Sequence, residues 1–298
     1  MILNTKLKRL IYKLLIGPLL RCFQKLIIPS VFDVRVNINV LQDIPTDLYR
    51  STSTFNQFLF GSFTRVYKGD LVFVDVGVNV GQNLIAHMSK YPQNRYVGFD
   101  PNPASITVAE NLSVSNGFHP LLISSGLSNK ASRMTLRKDS STDSECKLDS
   151  EEAQPKERSL STVVHTDTLD SWMETITKFG RNWFIKIDVE GHERQVLEGM
   201  SSIMRNIRPI ISCEILGASF ISELDELRKN ANLIESILQN YNYDIYLIDL
   251  LHLSKTSEYR IAKIQEIPIG LYSEMPGVTD YLFVPSETNI DLVDVEMK

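Results

Sequence analysis

Leu71-Val72-Phe73-Val74-Asp75-Val76-Gly77-Val78-Asn79-Val80-Gly81 opens with a six-residue run that is β-rich and almost wholly apolar, without alternation. A strand with one face in water alternates; this pattern predicts a short strand buried on both faces of a parallel sheet. The glycines after it permit a sharp turn and a close backbone approach to a ligand at the mouth of the next helix. A helix is expected over Gln82–Tyr91, a second strand over Tyr96–Asp100, a second helix over Ile106–Val114 and a third strand over Leu121–Ile123. Strand, helix and strand in alternation predict an open, mostly parallel α/β sheet.

Downstream, the polar stretch 138–161, with Pro155 inside it, breaks the rhythm and reads as a surface loop, either a lid or a solvated insertion. The alternation resumes with a helix over Thr168–Thr177, a strand over Trp183–Val189, a helix over Gln195–Met204 and a strand over Pro209–Ile215. A helix over Ser222–Gln239 and strands over Tyr243–Leu250 and Tyr281–Val284 complete a domain spanning 69–298. Residues 29–68 are mixed and polar, and read as a lead-in or cap.

The chain has 298 residues, 43% hydrophobic and 22% charged. That composition excludes a disordered chain, a fibre and a multi-span membrane protein. Cys22, Cys146 and Cys213 form neither a disulfide framework nor a zinc spacing, which points to a reducing, cytoplasmic setting. The net charge of -5 is uneven: residues 1–28 carry Lys6, Lys8, Arg9, Lys13, Arg21 and Lys25 with no acid, leaving 25 basic against 36 acidic residues in the remainder. An acidic body argues against nucleic acid as a partner.

On a helix, Leu3, Leu7, Leu10, Ile11, Leu14 and Leu15 share one arc opposite Lys6, Arg9 and Lys13. This basic amphipathic segment suits either the inner face of an anionic membrane or packing on the domain or on a second copy in a homodimer. Its longest uncharged run, Leu14–Leu20, is too short to span a bilayer, which takes about 20 residues.

Two strand ends carry the chemistry. The spacing from Gly77 to Gly81 is Gly-x-x-x-Gly, not the dinucleotide fingerprint, and Asp75 beside the loop favours a ligand with a cationic end over one with phosphates. Asp100, ending the second strand, is placed either for the hydroxyls of a ribose or for capping the helix after Pro101-Asn102-Pro103. In Trp183–Glu193, Lys186 and Asp188 share a strand face, and a lysine in an apolar strand needs a partner, either Asp188 or Glu214. Asp188, Glu190, His192 and Glu193 crowd the carboxyl end of that strand, where open α/β sheets bind ligands. No spacing among them is diagnostic of a metal.

These segments together resemble the FkbM-type family of S-adenosylmethionine-dependent methyltransferases. The matching pieces are Phe73–Gly81, Phe99-Asp-Pro-Asn-Pro103 with Asn111, Gly126–Asn129, Thr168-Leu-Asp170, Ile185–Glu193, Val196–Gly199 and Arg208-Pro-Ile210 leading to Glu214. Asp100 stands where the family often has glutamate, and Val78 where it often has alanine. The resemblance implies a three-layer, Rossmann-like class I methyltransferase with a seven-stranded, mostly parallel sheet and an antiparallel last strand. It implies S-adenosylmethionine as cofactor, with Asp75, Gly77, Asn79 and Gly81 facing its methionine end. Asp100 would hold the ribose, Ser125 and Gly126 would border the adenine, and Asp188 would close the site.

Methyl transfer to a weakly nucleophilic hydroxyl gains from a base, and His192 is the first candidate because imidazole titrates near neutrality. Asp188 and Glu214 are the alternatives. The expected reaction is O-methylation of a glycan or a lipid-linked, surface-polysaccharide-type acceptor. The competing expectations are a nicotinamide-dependent oxidoreductase and a non-catalytic, membrane-associated module on the same fold.

Overall fold

The computed structural model describes residues 26–27, 35–36, 71–138, 146–150, 160–250, 259–275 and 279–288. Ahead of Leu71 these comprise β1 (Leu26–Ile27) and β2 (Arg35–Val36), which pair antiparallel. The rest of the basic segment 1–28 and of the lead-in 29–68 lies outside the described residues.

The chain continues through β3 (Leu71–Val76), α1 (Gln82–Lys90), β4 (Arg95–Phe99), α2 (Pro103–Asn116), β5 (Leu121–Ile123), β6 (Gly126–Leu127), β7 (Ser132–Lys138) and β8 (Cys146–Ser150). Next come β9 (Leu160–Asp167), α3 (Leu169–Thr177), β10 (Asn182–Ile187), α4 (Glu193–Glu198), α5 (Ser201–Asn206) and β11 (Ile210–Glu214). The described part ends with α6 (Leu224–Asn240), β12 (Tyr243–Leu250), β13 (Tyr259–Ile264) and β14 (Asp280–Pro285).

The main sheet has the order β13-β12-β14-β11-β10-β3-β4-β5. Strands β5, β4, β3, β10 and β11 are mutually parallel. The last strand, β14, inserts antiparallel between β11 and β12, so β12 runs with the parallel set. These are the seven expected strands. An eighth, β13, pairs antiparallel with β12 at the edge. Its sequence, Tyr-Arg-Ile-Ala-Lys-Ile, carries charges where an edge strand tolerates them, so it lacks the apolar run that marks an inner strand.

All six residues of β3 are buried, as its unalternated sequence requires. Val72, Val74 and Val76 pack with α3, α4, α5 and α6 through Ile176, Leu197, Ile203 and Leu238, while Leu71 and Phe73 pack with α1 and α2 through Leu84 and Leu112. Helices on both faces make the three layers. The predicted helix Gln195–Met204 is two helices, broken after Gly199, where a Cβ would stand 2.0 Å from the Ser128 carbonyl oxygen. The Asp170 carboxylate then accepts from the backbone of Ser202 and Ile203 at 2.8 and 2.9 Å and starts α5.

A second sheet, β6-β9-β7-β8, follows the third parallel strand. It corrects the reading of 138–161 as loop throughout: Cys146–Ser150 is a strand, antiparallel to β7. Residues 139–145 and 151–159 lie outside the described residues.

Candidate active site

The carboxyl ends of β3, β4, β10 and β11 open onto one cleft, lined among others by Gly77, Asn79, Asp100, Gly126, Lys186, Asp188, Glu190 and Glu214. The β3–α1 turn is tied to both neighbouring strands. Gly77 and Val78 donate their backbone N–H groups to the Phe99 carbonyl at 2.9 and 3.2 Å, and Asp188 donates its own to the Val76 carbonyl at 2.9 Å. Gly77 has φ 98°, and a Cβ there would stand 1.9 Å from the Asp188 carbonyl oxygen, so the position requires glycine.

Asp100 joins two strand tips. Its Oδ2 accepts the Asn79 N–H and its Oδ1 the Asn102 N–H, each at 2.8 Å. The helix cap is Asn102, whose side chain accepts from Ala104 at 3.2 Å, with Pro103 opening α2. Asp100 is therefore not the cap. A carboxylate accepts up to about four hydrogen bonds, so a ribose diol is compatible with both backbone bonds.

At the other side of β3, Lys186 Nζ lies 2.6 Å from Asp188 Oδ2, which identifies the lysine's partner. Burial opposes the Lys186 charge, but Asp188, Asp75 and Glu214 outweigh it and hold the ammonium above the ordinary lysine range. Burial likewise opposes the Asp188 charge, and Lys186 together with a hydrogen bond from Glu214 holds that carboxyl below its ordinary value. Glu214 is pushed up to about 9 by burial and by Asp188, and is protonated at neutral pH.

Four expected site residues lie elsewhere. Asp75 does not reach the cleft: it shares the parity of Leu71 and Phe73, so it sits beneath α1, accepting from Asn83 Nδ2 at 3.1 Å and from the Tyr96 hydroxyl. Burial raises it to about 7, against the pull of Lys186. Gly81 packs α1 on α2, with its Cβ direction 3.4 Å from the Ala109 Cβ. Ser125 is buried, donating to the Gly126 and His165 carbonyls, and Gly126 is the one of the pair that lines the cleft. His192, the first candidate base, turns to Ser128, with Nε2 2.9 Å from its Oγ. Burial and then Arg194 lower its pKa.

The cleft also contains residues that the sequence did not single out. Gln82 and Asn83 come from the first turn of α1, and Val189 follows β10 beside the expected Glu190, which is held at φ 54°. Phe99, Pro101, Leu127 and Leu148 form an apolar end beside β4 and β6. Leu148 is an apolar residue inside a polar tract, a faint signal in retrospect.

The lining contains four carboxyl side chains, Asp100, Asp188, Glu190 and Glu214, against one lysine already paired with Asp188. That set repels phosphates and suits a ligand with an ammonium and a sulfonium, which fits S-adenosylmethionine and counts against a dinucleotide. The strand tips from β11 to β4 span three interstrand steps, about 14 Å, enough for an elongated ligand with an apolar base at one end and a charged tail at the other.

The chain matches the family model of the methyltransferase FkbM domain over residues 75–245. Among solved structures, it is similar to an FkbM methyltransferase from Methylobacillus flagellatus KT: 16% identity and a TM-score of 0.41, covering 71% of this chain and 42% of that one, so this chain spans less than half of that protein. It is also similar to an O-methyltransferase from Bacillus cereus in complex with SAH, with 9% identity and a TM-score of 0.44, covering 94% of this chain and 97% of that one. No curated protein matches. The family match takes in more than half of the 298 residues, and from Asp75 onward it includes the cleft residues of β3, β4, β10 and β11. The chain belongs to the FkbM family of S-adenosylmethionine-dependent methyltransferases.

Proposed function

We propose that the chain methylates a hydroxyl oxygen on a glycan or a glycosylated, lipid-linked acceptor, as in the building of a surface polysaccharide. The observation that carries the methyl-donor part of this reading is the division of the cleft: carboxyl groups at the tips of β10 and β11, apolar side chains at β4 and β6, and Asp100 between them. Asp100 and Asn79 would hold the ribose, Gly126 the adenine side, and Asp188 and Glu190 the cationic tail. When bound, S-adenosylmethionine supplies an electrophilic methyl carbon on a positively charged sulfur.

The chain's own part is alignment. Asp188, ionised and braced by Lys186, accepts a hydrogen bond from the incoming hydroxyl and fixes its direction. Glu214 holds its proton at neutral pH and donates to Asp188, so it does not serve as a base there. A carboxylate this well stabilised is a weak base, so most of the acceleration comes from positioning and exclusion of water, where effective molarities reach about 10⁵ M or more.

Among the described residues, no helix is long and apolar enough to cross a membrane. The +6 charge of residues 1–28 supports peripheral attachment at the anionic inner face, where a lipid-linked acceptor is presented. The test is incubation of the full chain with methyl-labelled S-adenosylmethionine and a panel of lipid-linked and free oligosaccharides. Label recovered as a base-stable methyl ether supports the reading. Label on nitrogen or carbon, or none on any hydroxyl acceptor from a chain that binds S-adenosylhomocysteine, overturns it.

A further inference from the structure

Strand β8 lies inside the tract that reads as a polar insertion, yet Leu148, at its centre, lines the cleft. Strands β6 and β8 are the two edges of the small sheet, separated by β9 and β7. On a flat sheet that separation is about 14 Å. Instead, Leu148 Cδ1 lies 3.4 Å from where a Cβ on Gly126 would stand, next to the Pro101 Cβ at 3.3 Å. The sheet curls until its edges meet, and they meet at the cleft wall. Gly126 contributes no side chain there, so the surface at this end is formed by Leu148, Phe99, Pro101 and Leu127.

We propose that Leu148 packs against the adenine ring of the methyl donor, which makes strand β8 part of the donor site. This rests on the donor reading above. Asp100 stands between Phe99 and Pro101 at the tip of β4, so a ribose held on Asp100 projects its base toward Gly126 and Leu148. An adenine offers two flat apolar faces with its polar atoms at the rim, and a branched aliphatic side chain from a curled sheet edge covers one such face without competing for the rim.

The experiment is calorimetric titration of S-adenosylhomocysteine into the full chain and its Leu148→Ala and Leu148→Met variants, with thermal melts as the folding control. Leu148→Ala is expected to bind about tenfold more weakly and Leu148→Met within about twofold of the parent. In the unmodified chain, hydrogen exchange of residues 146–150 is expected to slow when S-adenosylhomocysteine is added. If the parent binds and its 146–150 amides exchange at the same rate with and without ligand, or if folded Leu148→Ala binds within about twofold of the parent, the Leu148 assignment is overturned and the donor reading stands. If the parent itself shows no binding, both fall.

Discussion

Lys186 and Asp188, two residues apart on one face at the end of β10, form a 2.6 Å ion pair that neutralises the lysine of an otherwise acidic cleft. Asp75, fully buried beneath α1, feels the same ammonium from the other side. Replacing the lysine by an apolar side chain therefore strands two carboxyls at once. Lys186→Met is expected to destabilise the fold by about 3 kcal/mol, measured by urea denaturation, whereas Lys186→Met combined with Asp188→Leu is expected to cost less than Lys186→Met alone.

Asp100 accepts two backbone N–H groups from two different turns, so its carboxylate both shapes the cleft and faces the ligand. Asp100→Ala is expected to weaken S-adenosylhomocysteine binding by about 10- to 100-fold, since hydrogen bonds to a charged acceptor contribute about 1.5–3 kcal/mol. Calorimetry measures this directly, and an affinity unchanged in a folded variant contradicts the ribose role.

Much of this arrangement is legible in the chain. The unalternated run at β3, the acid ending the second strand and the Lys-x-Asp face of β10 each give the right element and the right edge of the sheet. Period-two parity also places Asp75 on the α1 face with Phe73, but not its distance from the strand mouth: Lys186, its register partner on the same face, lines the cleft, while the short Asp75 side chain is held by Asn83 and Tyr96. His192 is different. It lies in the turn after β10, where no periodicity fixes direction, and its partner Ser128 is 64 residues away in sequence. Strand β8 escapes a pattern reading because a short, polar edge strand carries little apolar signal. The break at Gly199 depends on a tertiary contact with Ser128 that local sequence does not encode.

His192→Ala is accordingly expected to retain kcat within about threefold, while losing about 1 kcal/mol of stability with the Ser128 hydrogen bond. Steady-state kinetics beside a thermal melt separates the two. A loss of kcat of a hundredfold or more would restore the histidine as the base.

Stability is expected to fall between pH 7 and pH 9. Glu214 is held at about 9 in the folded chain against an ordinary value of 4.5, so over this range the folded state keeps a proton that the unfolded state has released. Unfolding free energy therefore decreases as pH rises, and the Glu214 contribution is complete only below about 4.5. Asp75 and Glu193, both raised to about 7 chiefly by burial, act with the same sign at lower pH. Below 6.5, His87 opposes them, because burial holds its imidazole down to about 3 and the folded state resists its protonation. Denaturation curves at pH 7, 8 and 9 check this, and Glu214→Gln is expected to flatten the slope.

The most direct measurement is a crystal structure of the full chain with S-adenosylhomocysteine. The ribose hydroxyls are expected within hydrogen-bond distance of Asp100, the base between Gly126 and Leu148, and the amino-acid tail toward Asp188. Density for the ligand away from the β3, β4 and β10 tips, or no ligand at saturating concentration, contradicts this expectation.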